Sequence, residues 1–204
     1  MRQMKRTGRG RRGVRALALL LLGGLGAAMI QATPANAAAG QAGDSLFQLP
    51  LHFSTANGEA LTLERFRGEP VVITMFYGTC KAACPLTAHA ITETAKALPA
   101  ASRDKVRFLL VTLDPQRDTA EELRHFAKEY GLASPQFEVA RTDANGVRLL
   151  AAALGIKYRQ LPDGNFSHSA ILTALDAQGV PQARTEHIGG ADAEFVGKLA
   201  GLVR

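Results

Sequence analysis

The sequence predicts an α/β sandwich whose sheet is parallel at its centre and mixed at its edge. Two apolar runs rich in β-formers, "VVITMFY" (Val71–Tyr77) and "VRFLLVTL" (Val106–Leu113), have the unbroken pattern of strands covered on both faces. Stretches with helical spacing alternate with the strand-like stretches, and that alternation implies parallel strands joined by crossover helices. Near the end of the chain, "SAILTALD" (Ser169–Asp176), a turn at Gln178-Gly179 and "PQARTEHI" (Pro181–Ile188) read as an antiparallel hairpin, which makes the sheet mixed.

The elements follow in order. "LHFS" and "ALTL" (Leu51–Ser54, Ala60–Leu63) are short strands about an Asn57-Gly58 turn. After the first buried strand, Cys84 to Leu98 is helical, with Leu86, Ala90, Ile91, Ala95 and Leu98 able to share a face. After the second buried strand, Asp118-Thr119 caps a helix with Glu121 and Glu122 on its positive end; it ends near Tyr130 and stops at Gly131. "FEVA" (Phe137–Ala140) is a strand, and Ala144–Leu154 is a helix stopped by Gly155. A last helix covers about Asp192–Val203.

The charge pattern excludes one class of partner. The 204-residue chain carries a formal +6, yet residues 1–37 hold seven of its 24 basic residues and no acidic one. The 17 basic residues that remain face 18 acidic ones, so the rest of the chain has a net charge of −1 and no surplus for nucleic acid. The N-terminus has the order of an export signal: basic residues to Arg15, the apolar run Ala16–Ile30, then Ala35-Asn36-Ala37 as a cleavage site. Fifteen apolar residues interrupted by Gly23, Gly24 and Gly26 are short for a membrane span, although a retained N-terminal anchor is the alternative. The expected organisation is therefore a signal over residues 1–37 and one domain over 38–204, in an extracytoplasmic, periplasm-like compartment.

Both cysteines of the chain, Cys80 and Cys84, lie in "MFYGTCKAACPLTAHA" (Met75–Ala90), where the first buried strand gives way to a helix. Loops at the carboxyl ends of such strands are the usual place for a site in open α/β sheets. A structural disulfide across so small a loop would add little stability. Positions i and i+4 share a helix face, and the N–H groups and positive dipole of a helix N-terminus favour thiolate, the form that attacks disulfides and binds soft metals. Pro85 fits the first turn, where a missing N–H costs nothing. Redox exchange and metal binding both remain open on spacing alone, against the plainer reading of two small apolar fillers. Of the histidines, His52, His89, His125 and His187 read as solvated or structural. His168, in "PDGNFSHSAILTALD", enters a buried strand; if that strand packs beside the first one, its start faces the cysteines.

Four segments then carry a resemblance to the Sco/SenC family of exported copper proteins. "YGTCKAACPLT" is similar to its CxxxCP segment, "VTLDPQRDT" (Val111–Thr119) to its DP-x-x-DT signature, "LPDGNFSHS" to its histidine segment and "LDAQG" (Leu175–Gly179) to its hairpin turn. The resemblance spans about residues 45–202 in the family order. It implies a thioredoxin-like mixed sheet flanked by helices on both faces. It also implies a copper site, for Cu(I) and in some states Cu(II), made of Cys80, Cys84 and His168, with Asp114 and Pro115 as supports. The implied role is a metallochaperone rather than an enzyme, delivering copper to, or keeping reduced the thiols of, the dinuclear copper centre of cytochrome c oxidase subunit II. Another exported copper protein is the alternative acceptor, and a thiol reductant or a second copper chaperone is an implied further partner. Where many members have an acidic residue between the cysteines or before the histidine, this chain has Lys81-Ala82-Ala83 and Ser167. A dedicated thiol–disulfide oxidoreductase of the same fold is the main rival. A thiol peroxidase is the weaker one, since no arginine lies near Cys80 in the sequence.

Overall fold

The computed structural model describes residues 44–78 and 83–203, and within these Ala83 and Cys84 by their backbone alone. The expected signal over residues 1–37 and the first thiol, Cys80, lie outside the described residues. The elements run β1 (Phe53–Thr55), β2 (Ala60–Leu61), β3 (Val71–Phe76), α1 (Ala83–Ala97), α2 (Ala100–Arg103), β4 (Arg107–Thr112), α3 (Ala120–Glu129), β5 (Phe137–Arg141), α4 (Ala144–Leu154), β6 (Tyr158–Gln160), β7 (Phe166–His168), β8 (Leu172–Leu175), β9 (Pro181–Thr185) and α5 (Ala193–Gly201). Among the described residues, no helix is long and apolar enough to cross a membrane.

Seven strands form one sheet in the order β2-β1-β5-β4-β3-β8-β9. β3, β4 and β5 are parallel, and β8 joins β3 antiparallel, with Val71 opposite Leu175 and Ile73 opposite Thr173. All six residues of β3 are buried, so both faces of the sheet are covered there. Phe76 stacks on Phe126 of α3 with ring centroids 4.3 Å apart, a contact worth about 0.5–1.5 kcal/mol beyond its buried area. Gly155 ends α4 at φ +65, the left-handed conformation that a glycine adopts without a Cβ penalty. The mixed sheet with a parallel centre is the architecture expected from the alternation of runs.

The structure departs from the sequence reading in four places. Ala90, Ile91, Ala95 and Leu98 are buried as expected, but Leu86 is 48% exposed, and Thr87 and Thr94 join the buried face of α1. Those positions keep helical spacing, and two small threonines fill places that hydrophobicity alone assigns to leucine. Leu63 belongs to a one-turn 3-10 helix, Leu63–Phe66, rather than to β2. α2 and the pair β6–β7 had no counterpart in the pattern. The two strands of that pair have three residues each and form a small sheet of their own, with Tyr158 opposite His168. Lastly, Thr119 alone caps α3 through its hydroxyl, while Asp118 turns elsewhere.

Candidate metal centre

The site region forms at the edge where β3 and β4 end. β3 runs out at Phe76, and Tyr77 and Gly78 lead toward Cys80. Cys84 stands in the first turn of α1, with Pro85 directly after it.

His168 reaches this edge by topology. Because β8 is antiparallel to β3, the start of β8 lies beside the end of β3, and Thr74 on β3 donates its hydroxyl to the Ile171 carbonyl at 2.7 Å. The chain just before that start is the β6–β7 hairpin, closed by Ser169 N–H to the Lys157 carbonyl at 2.9 Å. Tyr77, three residues before Cys80, meets the His168 ring edge-on with centroids 5.8 Å apart. Its hydroxyl also donates to the Phe166 carbonyl at 3.2 Å, joining the end of β3 to β7. The half-buried imidazole has its pKa lowered, chiefly by desolvation, against a smaller opposing effect of its bond to Ser169. Nδ1 lies 3.2 Å from the Ser169 carbonyl, and since a carbonyl only accepts, Nδ1 is the protonated nitrogen. A neutral ring held in that tautomer keeps its lone pair on Nε2, the arrangement found in metal-binding histidines whose other nitrogen donates to the backbone.

The loop after β4 supplies the third segment. Asp114 is 6% exposed, pairs with the Arg117 guanidinium, and donates its N–H to Thr112 Oγ1 at 2.9 Å. Pro115 lines a cleft of about 440 Å³ together with His52, Arg141 and Asp143. Asp118, missed by the sequence reading, is 1% exposed and accepts the Gly78 N–H at 2.9 Å as well as the Thr112 hydroxyl. Burial raises its pKa more than those two hydrogen bonds lower it. A Cβ at Gly78 would stand 2.7 Å from Asp118 Oδ1, so this close approach demands glycine. The doubled aspartate in "DPQRDT" was the unused signal, since a helix needs only one cap and Thr119 supplies it.

The other histidines stand apart in role: His89 and His125 are exposed on α1 and α3, His52 is exposed just before β1, and His187 is exposed beyond β9. Among the described residues, no three His, Cys, Asp or Glu side chains converge as a metal cluster. Two sulfurs and one neutral imidazole form a soft donor set of the kind that selects Cu(I).

Comparisons with known proteins bear on the fold and the family. The chain is 33% identical over 85 residues to the SCO1 protein homolog of Bacillus subtilis, 41% of this chain and 43% of that protein. The matched segments cover 43% and 61% of the length of two curated relatives, less than two thirds of either. Among solved structures, Bradyrhizobium japonicum ScoI with copper bound superposes with a TM-score of 0.64 at 22% identity, covering 75% of this chain and 97% of that one. BsSco, described as a member of the Sco family of cytochrome c oxidase assembly proteins with a disulfide switch, superposes at 0.56 with 22% identity, covering 65% and 78%. At such identities these structures establish the shared thioredoxin-like fold. The SCO1/SenC family itself matches residues 39–204, nearly the whole chain after the expected signal, and this chain belongs to that family.

Proposed function

We propose that this protein is an exported metallochaperone that binds copper through Cys80, Cys84 and His168 and serves the assembly of cytochrome c oxidase. Its acceptor in this reading is the dinuclear copper centre of subunit II, either as the recipient of copper or as a pair of thiols to be kept reduced. The observation that carries the reading is the contact of His168 with Tyr77, which brings a neutral imidazole against the strand end leading to Cys80. Support also comes from the copper bound to ScoI and from the description of BsSco as one of a family of oxidase assembly proteins. Residues 1–37 act as the signal, residues 38–204 as the working domain, and the compartment is extracytoplasmic.

The disulfide switch of BsSco favours a second reading, a dedicated thiol–disulfide oxidoreductase. In that case Cys80 is the attacking thiolate. One substitution separates the two. Both readings need Cys80 and Cys84, and only the chaperone needs the imidazole. His168→Ala is expected to remove a nitrogen ligand from X-ray absorption spectra at the copper edge and to abolish oxidase assembly, while disulfide formation between Cys80 and Cys84 persists. Oxidase assembly at the parental level in that variant would overturn the chaperone reading in favour of the reductase.

A further inference from the structure

The hairpin that carries His168 rests on the core only through the partly buried Tyr158 and Phe166 and its contacts with neighbouring loops. Its two strands have three residues each and belong to no larger sheet, and isolated two-stranded hairpins are marginal in water. It is fastened from outside. Beside its turn, where Phe166 pairs with Gln160, the Tyr77 hydroxyl holds the Phe166 carbonyl at 3.2 Å. At its turn, Arg117 donates from Nη2 to the Gly164 carbonyl, while its Nε donates to the carboxylate of Asp114. Gly164 has φ +81, and a Cβ there would lie 3.4 Å from Arg117 Nη1, so the turn is seated closely on the guanidinium. Asp114 is nearly buried and Arg117 is partly covered, with side-chain exposures of 7% and 40%. One residue further on, the Asp118 carboxylate holds Gly78 at the head of the cysteine segment. The loop 114–118 thus holds both the turn of the His168 hairpin and Gly78.

We propose that Arg117 is a positioning residue that sets His168 against the cysteine pair by bridging Asp114 to the Gly164 carbonyl. The inference rests on the three-donor copper site described under the proposed function. Arginine suits the task because its rigid planar fork serves two acceptors at once, whereas a lysine ammonium meets Asp114 but cannot hold the same two-point bridge.

That difference defines the test. The full chain, its Arg117→Lys and Arg117→Ala variants and a His168→Ala control are each loaded with stoichiometric Cu(I). Three quantities are read: nitrogen ligation at the copper edge, Cu(I) affinity by competition with a chelator, and the midpoint potential of the Cys80–Cys84 pair. Arg117→Lys is expected to melt with the parent, because the ammonium still pairs with Asp114. It should nonetheless lose the nitrogen signal and bind Cu(I) about 10- to 100-fold more weakly, the usual cost of removing an outer support from a metal ligand. Its thiol midpoint potential should stay at the parental value. Arg117→Ala should show the same copper defect with a lower melting temperature. Parental nitrogen ligation and affinity in Arg117→Lys would overturn the positioning role and leave Arg117 as an ion-pair partner only. An unchanged nitrogen signal in His168→Ala would instead overturn the ligand set itself, so the two failures are told apart within one experiment.

Discussion

The carboxylate of Asp118 is buried and accepts the Gly78 N–H at 2.9 Å. Gly78 stands two residues before Cys80, so a side chain from the loop after β4 fixes the backbone from which the first thiol departs. The same oxygen, Oδ2, also accepts the Thr112 hydroxyl.

Replacement of Asp118 should depend on what the new side chain can accept. Asp118→Ala leaves a buried N–H and a buried hydroxyl without their acceptor and is expected to cost about 1–3 kcal/mol. Asp118→Asn keeps an oxygen for both donors and removes a charge that burial disfavours. Burial holds the Asp118 pKa above its ordinary value, so the folded chain binds this proton more tightly than the unfolded chain. Its contribution to stability therefore falls as pH rises from the ordinary carboxylate range through the folded value. Asp118→Asn should be at least as stable as the parent at neutral pH and should lack that slope, as urea midpoints measured across the pH range would show.

Gly78→Ala should be destabilising by about 1–3 kcal/mol, the usual cost of forcing a methyl group into a packed site. The cost should shrink in an Asp118→Ala background, because the atoms that the new Cβ would strike are gone. A double-mutant cycle in chemical denaturation measures this coupling, and additivity of the two changes would count against the contact.

His168 should give the copper-free protein an acid-sensitive slope. Desolvation holds its pKa below the ordinary value, so between the folded and unfolded values the unfolded chain binds the extra proton. Stability from this residue is present above about pH 6.5 and is lost progressively as pH falls below it. His168→Ala should flatten the slope in melting curves taken at stepped pH. Copper affinity in the parent should also fall with pH, because protons compete for the imidazole and both thiolates.

The native protein should begin near Ala38, if residues 1–37 are a cleaved signal. Intact-mass measurement of protein recovered from its own compartment decides this. A mass that includes Met1–Ala37 would mean an N-terminal anchor is retained.

The chain order of the domain was legible because local rules agree with one another. Val71–Phe76 and Arg107–Thr112 are buried strands by composition alone, and Ala144–Leu154 carries its own start and stop in Asp143 and Gly155. The motifs around Cys80, Cys84 and His168 were visible as residue types at set spacings. Other features depended on the tertiary structure. Leu86 and Thr87 exchange roles because the roll of α1 on the sheet, which no local property sets, decides which stripe is covered. The β6–β7 pair escaped notice because three-residue strands are too short to show alternation and are held by contacts from Tyr77 and Arg117. Asp118 reads locally as one more polar residue at a helix start. Only the parallel pairing of β3 with β4, which sets the ends of both strands side by side, turns it into the acceptor for Gly78. Sequence alone thus singled out the groups to which the proposed function assigns the chemistry, since donor type and helix-end position are local properties. Which supports hold those groups was decided by strand order, because Gly78, Asp118, Gly164 and His168 are far apart in the chain and adjacent only in the fold.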